Sequence, residues 1–199
     1  MKIATVKITG VSPLQFGRYH AEPKLEKETA DDAEQRLWKE KAHYDQTTRQ
    51  LYLPPMALKN AISATAKILA ISIPGKGKSL YTKHFLAGVI CVDPAMISTP
   101  QGKPITLDDC KKIAVFGNSK GLRGGDGPRV EKFFPTIVPP WCSTLIYQVV
   151  DETITEPIFE RVIRQAGMFN GFGVFRPQSG GWYGRFTVDS VKWETVSNG

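Results

Sequence analysis

Between Gly167 and Phe186 the chain holds six glycines, two arginines and six aromatics in twenty residues. Those residue types suit one kind of chemistry. Arg176 and Arg185 can hold phosphate, Phe172, Phe175, Trp182 and Tyr183 offer ring faces, and glycine lets backbone approach closely. That combination describes a platform for single-stranded nucleic acid. The plainer reading is a long glycine-rich hairpin whose aromatics belong to the core. Gly167, after an apolar helical pattern, reads as a helix C-cap.

Other reactive groups are sparse. His20 follows Arg18 and Tyr19 in a loop and could act as general base in a metal-independent ribonuclease. Glu28, Asp31, Asp32 and Asp45 are the acids within reach in sequence, although Asp31 and Asp32 suit a helix start better. Gly77-Lys78-Ser79 ends like a phosphate-binding loop, but Ser72 stands where the first glycine belongs. His20, His43 and His84 lack metal-ligand spacing, so no metal or cofactor is expected. No serine or cysteine nucleophile motif occurs.

The net charge of +7 favours a polyanionic partner. Its distribution sharpens that expectation. Met56 to Val92 has five lysines (59, 67, 76, 78 and 83) and no acid, and Lys103 to Lys132 has seven cations against four acids. Glu22 to Asp45 is mixed in sign, as on a solvated helix face. No apolar run is long enough to cross a membrane. The three cysteines, Cys91, Cys110 and Cys142, are odd in number and widely spaced, which predicts reduced thiols in a cytoplasmic protein.

These side chains need a frame, and the periodicities supply one. Lys2 to Gly10 alternates as a half-buried strand rather than a signal peptide. Ala30 to Tyr44 reads as a surface helix. Arg49 to Leu53 is a short extended piece stopped by Pro54-Pro55. Met56 to Ala70 is a helix with Leu58, Ala61, Ile62 and Leu69 on its stripe. Phe85 to Val92 reads as a central strand. Lys112–Phe116 and Val130–Val138 read as the arms of a hairpin with a glycine-rich tip. Ser143 to Val150 is a strand, 155–166 a helix with Thr155 as N-cap, and 183–193 the last strand. The order strand, helix, strand, strand, helix, strand predicts a single α+β domain over 1–199 with a ferredoxin-like, RRM-like β-α-β-β-α-β core. Two insertions, about 11–50 and 95–140, interrupt it.

Three segments in this layout resemble the RAMP superfamily, most of all the backbone subunits of CRISPR effector complexes that line up along guide RNA. Leu51-Tyr-Leu-Pro54-Pro55-Met-Ala-Leu58-Lys59-Asn60-Ala61-Ile62 is similar to the family's entry into its first helix. Ser12-Pro-Leu-Gln-Phe-Gly17 is similar to the motif after the first strand, and Phe169 to Phe186 to the glycine-rich loop. The 112–138 insertion sits where the family carries a thumb hairpin that wedges between nucleotides. Pro55, Met56, Ala57 and Asn60 depart from the family's glycines and serines at the helix start, while Lys59 matches.

The resemblance implies a non-catalytic subunit that binds single-stranded RNA, or DNA, beside copies of itself and other effector subunits. Arg18, Lys59, Lys67, Lys76, Lys78, Lys120, Arg123, Arg129, Arg176 and Arg185 are the expected phosphate contacts, with Trp182 or Tyr183 stacking a base. Alternatives are a CRISPR-inhibiting mimic of such a subunit, an RNA-processing nuclease using His20, and a phage or plasmid single-strand DNA-binding protein.

Overall fold

The computed structural model describes residues 1–118 and 129–196, and the fold is α+β. Strand β1 (Lys2–Gly10) lies between β8 (Cys142–Val149) and β9 (Phe186–Thr195), antiparallel to both. Two short strands, β4 (Val89–Ile90) and β5 (Ala95–Ser98), pair with β8 on its other side. A two-residue strand, β3 (Tyr52–Leu53), extends the sheet beyond β5. Period-2 alternation turns Ala4, Val6 and Ile8 inward, all essentially inaccessible. Two helices cover that face: α2 (Pro55–Leu69) through Leu58, Ala61 and Ile62, and α4 (Glu156–Phe169) through Phe159, Val162, Ile163 and Ala166. Fully burying each of these larger side chains contributes about 1.5–3 kcal/mol. The other sheet face meets solvent with Thr5, Lys7, Thr144, Ile146 and Lys192.

A second sheet, β2-β7-β6, stands against this core. It joins the predicted hairpin arms, β6 (Lys111–Asn118) and β7 (Arg129–Ile137), to β2 (Leu14–Gln15). The helix α1 (Ala30–Leu37) packs on the same hairpin. Its start is capped by Thr29, whose Oγ1 accepts from the Asp32 amide at 3.1 Å. It stops earlier than its sequence pattern predicts, passing into a 3-10 turn at Trp38–Lys41. There Glu34 accepts from both the Lys41 ammonium and the Phe133 amide. The first insertion is thereby fastened to the second.

Three expectations need correction. The predicted central strand at 85–92 is mostly helix: α3 spans Thr82–Gly88, leaving only Val89–Ile90 extended. Helical winding puts Phe85 fully inside, 6.4 Å from the Phe159 ring, a tertiary contact that outweighs strand propensity. The second insertion begins later than 95, because Ala95–Ser98 is a strand of the main sheet with Ala95 and Ile97 buried. Gly167 does not close its helix, which continues to Phe169. An added Cβ at Gly167 would lie 2.0 Å from the Phe186 carbonyl oxygen, so this glycine permits close approach of α4 to β9.

Candidate nucleic-acid interface

The three motif-bearing segments meet at one end of the sheet, where β1 and α4 end and β9 begins. Backbone hydrogen bonds lace them together. The Val174 amide donates to the Gln15 carbonyl (2.9 Å), the Gly184 amide to Pro13 (2.7 Å) and the Val11 amide to Arg185 (2.9 Å). Ser12 Oγ accepts from the Arg185 amide at 2.8 Å, and Trp141 Nε1 donates to the Ser12 carbonyl at 2.9 Å. The loop after β1 is therefore the floor of the glycine-rich loop. Gly173 shows why glycine is required: its φ is +77°, and its missing Cβ faces the Gln15 carbonyl.

The start of α2 joins the same junction. Asn170 is buried, and its Nδ2 donates to the Ala61 carbonyl at 3.2 Å. A cavity of about 210 Å³ lies between Ala57, Asn60 and the 170–173 backbone, with Arg176 on its rim. The positive end of the α2 dipole points toward this end of the sheet. The base of the hairpin completes the junction through Phe134, whose ring meets Phe175 edge-on at 5.6 Å.

The glycine-rich segment is not a hairpin. It runs through a 3-10 turn, Pro177–Ser179, before β9 starts at Phe186. Its aromatics divide. Phe172 and Phe186 stack in the core at 4.8 Å, as the plainer reading expects. Phe175 and Trp182 are 39% and 54% exposed, and Trp182 lies against Tyr183 at 4.8 Å. Arg185 is half-buried and its Nε has no acceptor among the described residues. A buried donor without an acceptor is costly. The outward side chains of β5, β8, β1 and β9 carry no aromatic ring; exposed rings occur in the glycine-rich loop and, outside it, at Tyr19 and at Phe116 on β6.

The remaining expected contacts are scattered. Arg18 lies beside His43, where burial and then the Arg18 charge hold the imidazole below its ordinary value of 6.5. Lys59, expected at phosphate, instead donates to the Phe85 carbonyl at 2.6 Å, and burial lowers its pKa. Lys67 is exposed about 12 Å further along α2 than Lys59, at 1.5 Å per residue. Lys76 and Lys78 are exposed in the loop beyond that far end. Lys120 and Arg123 lie outside the described residues, and of Arg129 only its backbone place at the start of β7 is described. The structure thus brings together Arg176, Trp182, Tyr183 and Arg185, and separates them from Lys67, Lys76 and Lys78.

His20 Nδ1 is buried with no hydrogen-bond partner among the described residues, so no acid orients the ring there. Sequence reasoning passed over the pair that does form: His84 Nδ1 lies 2.6 Å from Asp151 Oδ2, tying α3 to the turn after β8. Sixty-seven residues separate the two, and no local pattern connects them. Ser12, Gln15, Phe134 and Asn170 were missed for the same reason. Among the described residues no cluster of histidine, cysteine and carboxylates could hold a metal ion, and no helix is long and apolar enough to cross a membrane.

No family model and no curated protein matches the sequence. Solved structures do match. A chain in a cryo-EM structure of the Type III-B Cmr-beta bound to cognate target RNA aligns with 96% of this chain at 14% identity and a TM-score of 0.57. This chain spans 60% of that chain's length. Cmr6 from Pyrococcus furiosus aligns over 94% of this chain and 99% of its own, at 14% identity and a TM-score of 0.49. The chain therefore shares its fold, over nearly its whole length, with a chain of the Type III-B Cmr-beta structure.

Proposed function

We propose that this chain is a RAMP-like subunit of a CRISPR effector complex that binds single-stranded RNA without cutting it. The observation that carries this reading is the convergence of the three motif segments and the hairpin base on one surface bearing Phe175, Trp182, Tyr183, Arg176 and Arg185. The sheet order β9-β1-β8, with β4 and β5 beyond and both long helices on one face, fits a ferredoxin-like core. RNA is preferred to DNA because the fold matches a chain in a structure containing target RNA.

In this reading the exposed rings stack bases and the accessible part of the half-buried Arg185 side chain meets a phosphate. Lys67, Lys76 and Lys78 form a second, phosphate-only contact that a strand reaches by running the length of α2. Lys120, Arg123 and Arg129, which in sequence fall between or at the ends of the two hairpin arms, add positive charge for the strand, and copies of the subunit line up side by side. Lys59 serves the fold through Phe85, and a phosphate contact from it would first break that bond.

The test is a salt titration of binding to a fluorescent single-stranded RNA, with DNA and duplex as competitors. Each phosphate contact contributes a slope of about −0.7 in log affinity against log salt for a single strand. A steep slope and RNA preference are expected. No binding at low salt overturns the proposal.

A further inference from the structure

Beside the junction lies a second cavity, of about 650 Å³, lined by Phe134, Gly173, Val174, Phe175, Arg176 and Gln178. Its walls are held in place from behind. Lys41 Nζ sits 4.7 Å from the centroid of the Phe134 ring, and Phe134 meets Phe175 edge-on. Phe175 has φ +52°, a conformation that aromatic residues rarely adopt. The strain is maintained by the Tyr183 amide, which donates to the Phe175 carbonyl at 3.1 Å, and by Gly181 against the same carbonyl. Strain of this kind persists where the surroundings over-determine it, commonly at ligand clamps. Here it presents a partly exposed ring to the cavity.

The polar wall has a definite sense. Arg176 donates from Nε and Nη2 to Gln178 Oε1, at 3.2 and 3.0 Å, and from Nη1 to the Gly173 carbonyl at 3.0 Å. The guanidinium has donors only, so it fixes which end of the Gln178 amide faces it. With its oxygen engaged, the remaining hydrogen-bonding group of the Gln178 side chain is its N–H₂, on an exposed residue of the cavity lining. A free glutamine pairs with adenine by using both its oxygen and its nitrogen. With the oxygen taken, that pairing is closed, and a base offering carbonyl oxygen is favoured.

We infer that the cleft between Phe134, Phe175 and Gln178 is a nucleobase pocket that stacks one base of the bound strand on Phe175 and selects the bases with a carbonyl oxygen (uracil, guanine and cytosine) over adenine. This rests on the RNA-binding reading above and adds base selectivity to it. Arg176 becomes a positioning residue that acts through Gln178, rather than a phosphate contact.

The experiment compares fluorescent octamers of uridine and of adenosine bound to the full chain and to two variants. Gln178→Glu keeps an acceptor for Arg176 and so keeps the loop, but removes the donor. Phe175→Asn suits the positive φ and removes the ring. The wild-type chain should prefer the uridine octamer by about three- to tenfold, the worth of one or two hydrogen bonds. In Gln178→Glu that ratio should fall to about one, and Phe175→Asn should weaken both octamers by about fivefold or more. Binding of both octamers with a ratio unchanged by Gln178→Glu overturns the pocket and leaves RNA binding standing. If neither octamer binds, RNA binding itself fails and the pocket with it.

Discussion

Replacing Gly167 by alanine tests whether the glycine-rich end is set by packing of α4 on β9. On helix propensity alone, alanine in a helix interior gains about 1 kcal/mol over glycine. The structure predicts the opposite sign. An alanine Cβ at this position would stand 2.0 Å from the Phe186 carbonyl oxygen and 3.0 Å from both its carbonyl carbon and its ring. Side-chain carbons essentially never approach closer than 3.0 Å, so β9 or α4 must move by at least 1 Å. The obstacle is backbone, which cannot rotate aside. Overpacking of this kind costs about 1–3 kcal/mol, and the upper end applies to a backbone clash. Subtracting the helix gain leaves about 2 kcal/mol of destabilisation, or a fall in Tm of about 4–8 °C for a domain of this size. Thermal unfolding followed by circular dichroism reads this directly. A Tm that rises or stays level would refute the close-approach argument and restore Gly167 as a simple helix-end residue.

Three further outcomes follow from individual contacts. Lys59→Met keeps the aliphatic stem but loses the bond to the Phe85 carbonyl, so it should cost about 1 kcal/mol in denaturant unfolding while changing RNA affinity less than twofold. Because His43 is held below 6.5 in the fold, the unfolded chain takes up that proton first as pH falls; stability should therefore drop from 6.5 downward through the folded pKa, and His43→Gln should flatten that part of a stability–pH curve. Lys76→Ala with Lys78→Ala should leave a six-nucleotide RNA unaffected in anisotropy titrations, yet weaken a 25-nucleotide RNA and reduce its salt slope by about 1.4, for two lost phosphate contacts.

What could be read from the sequence was local. The alternation in Lys2–Gly10, the stripe in Pro55–Leu69 and the two hairpin arms are each complete within one segment, and each forms where its pattern places it. Phe85–Gly88 was misread because an apolar run of this length suits strand and helix equally, and its neighbour Phe159 decides between them. Ala95–Ser98 was hidden because four residues behind Asp93-Pro94 carry too little alternation to show. In the candidate site, Trp182 and Arg185 stood out by type within a glycine-rich stretch. Their supports did not. Ser12 reaches Arg185 across 173 positions, Asn170 reaches Ala61 across 109, and Lys41 reaches the hairpin across 92. The lysines from Met56 to Val92 lie in one stretch of sequence, but α2 carries Lys67 away from the loop end and Lys59 bonds the Phe85 carbonyl.

The central claim is that RNA lies across the loop end and not across the open sheet. Photocrosslinking with RNA containing 4-thiouridine, followed by peptide mapping, tests it most directly. The account predicts crosslinks at Phe175, Trp182, Tyr183 and Arg185, and their loss when Trp182 and Tyr183 are both changed to alanine. Crosslinks confined to the outward residues of the sheet, such as Lys7, Ile146 and Lys192, would contradict it.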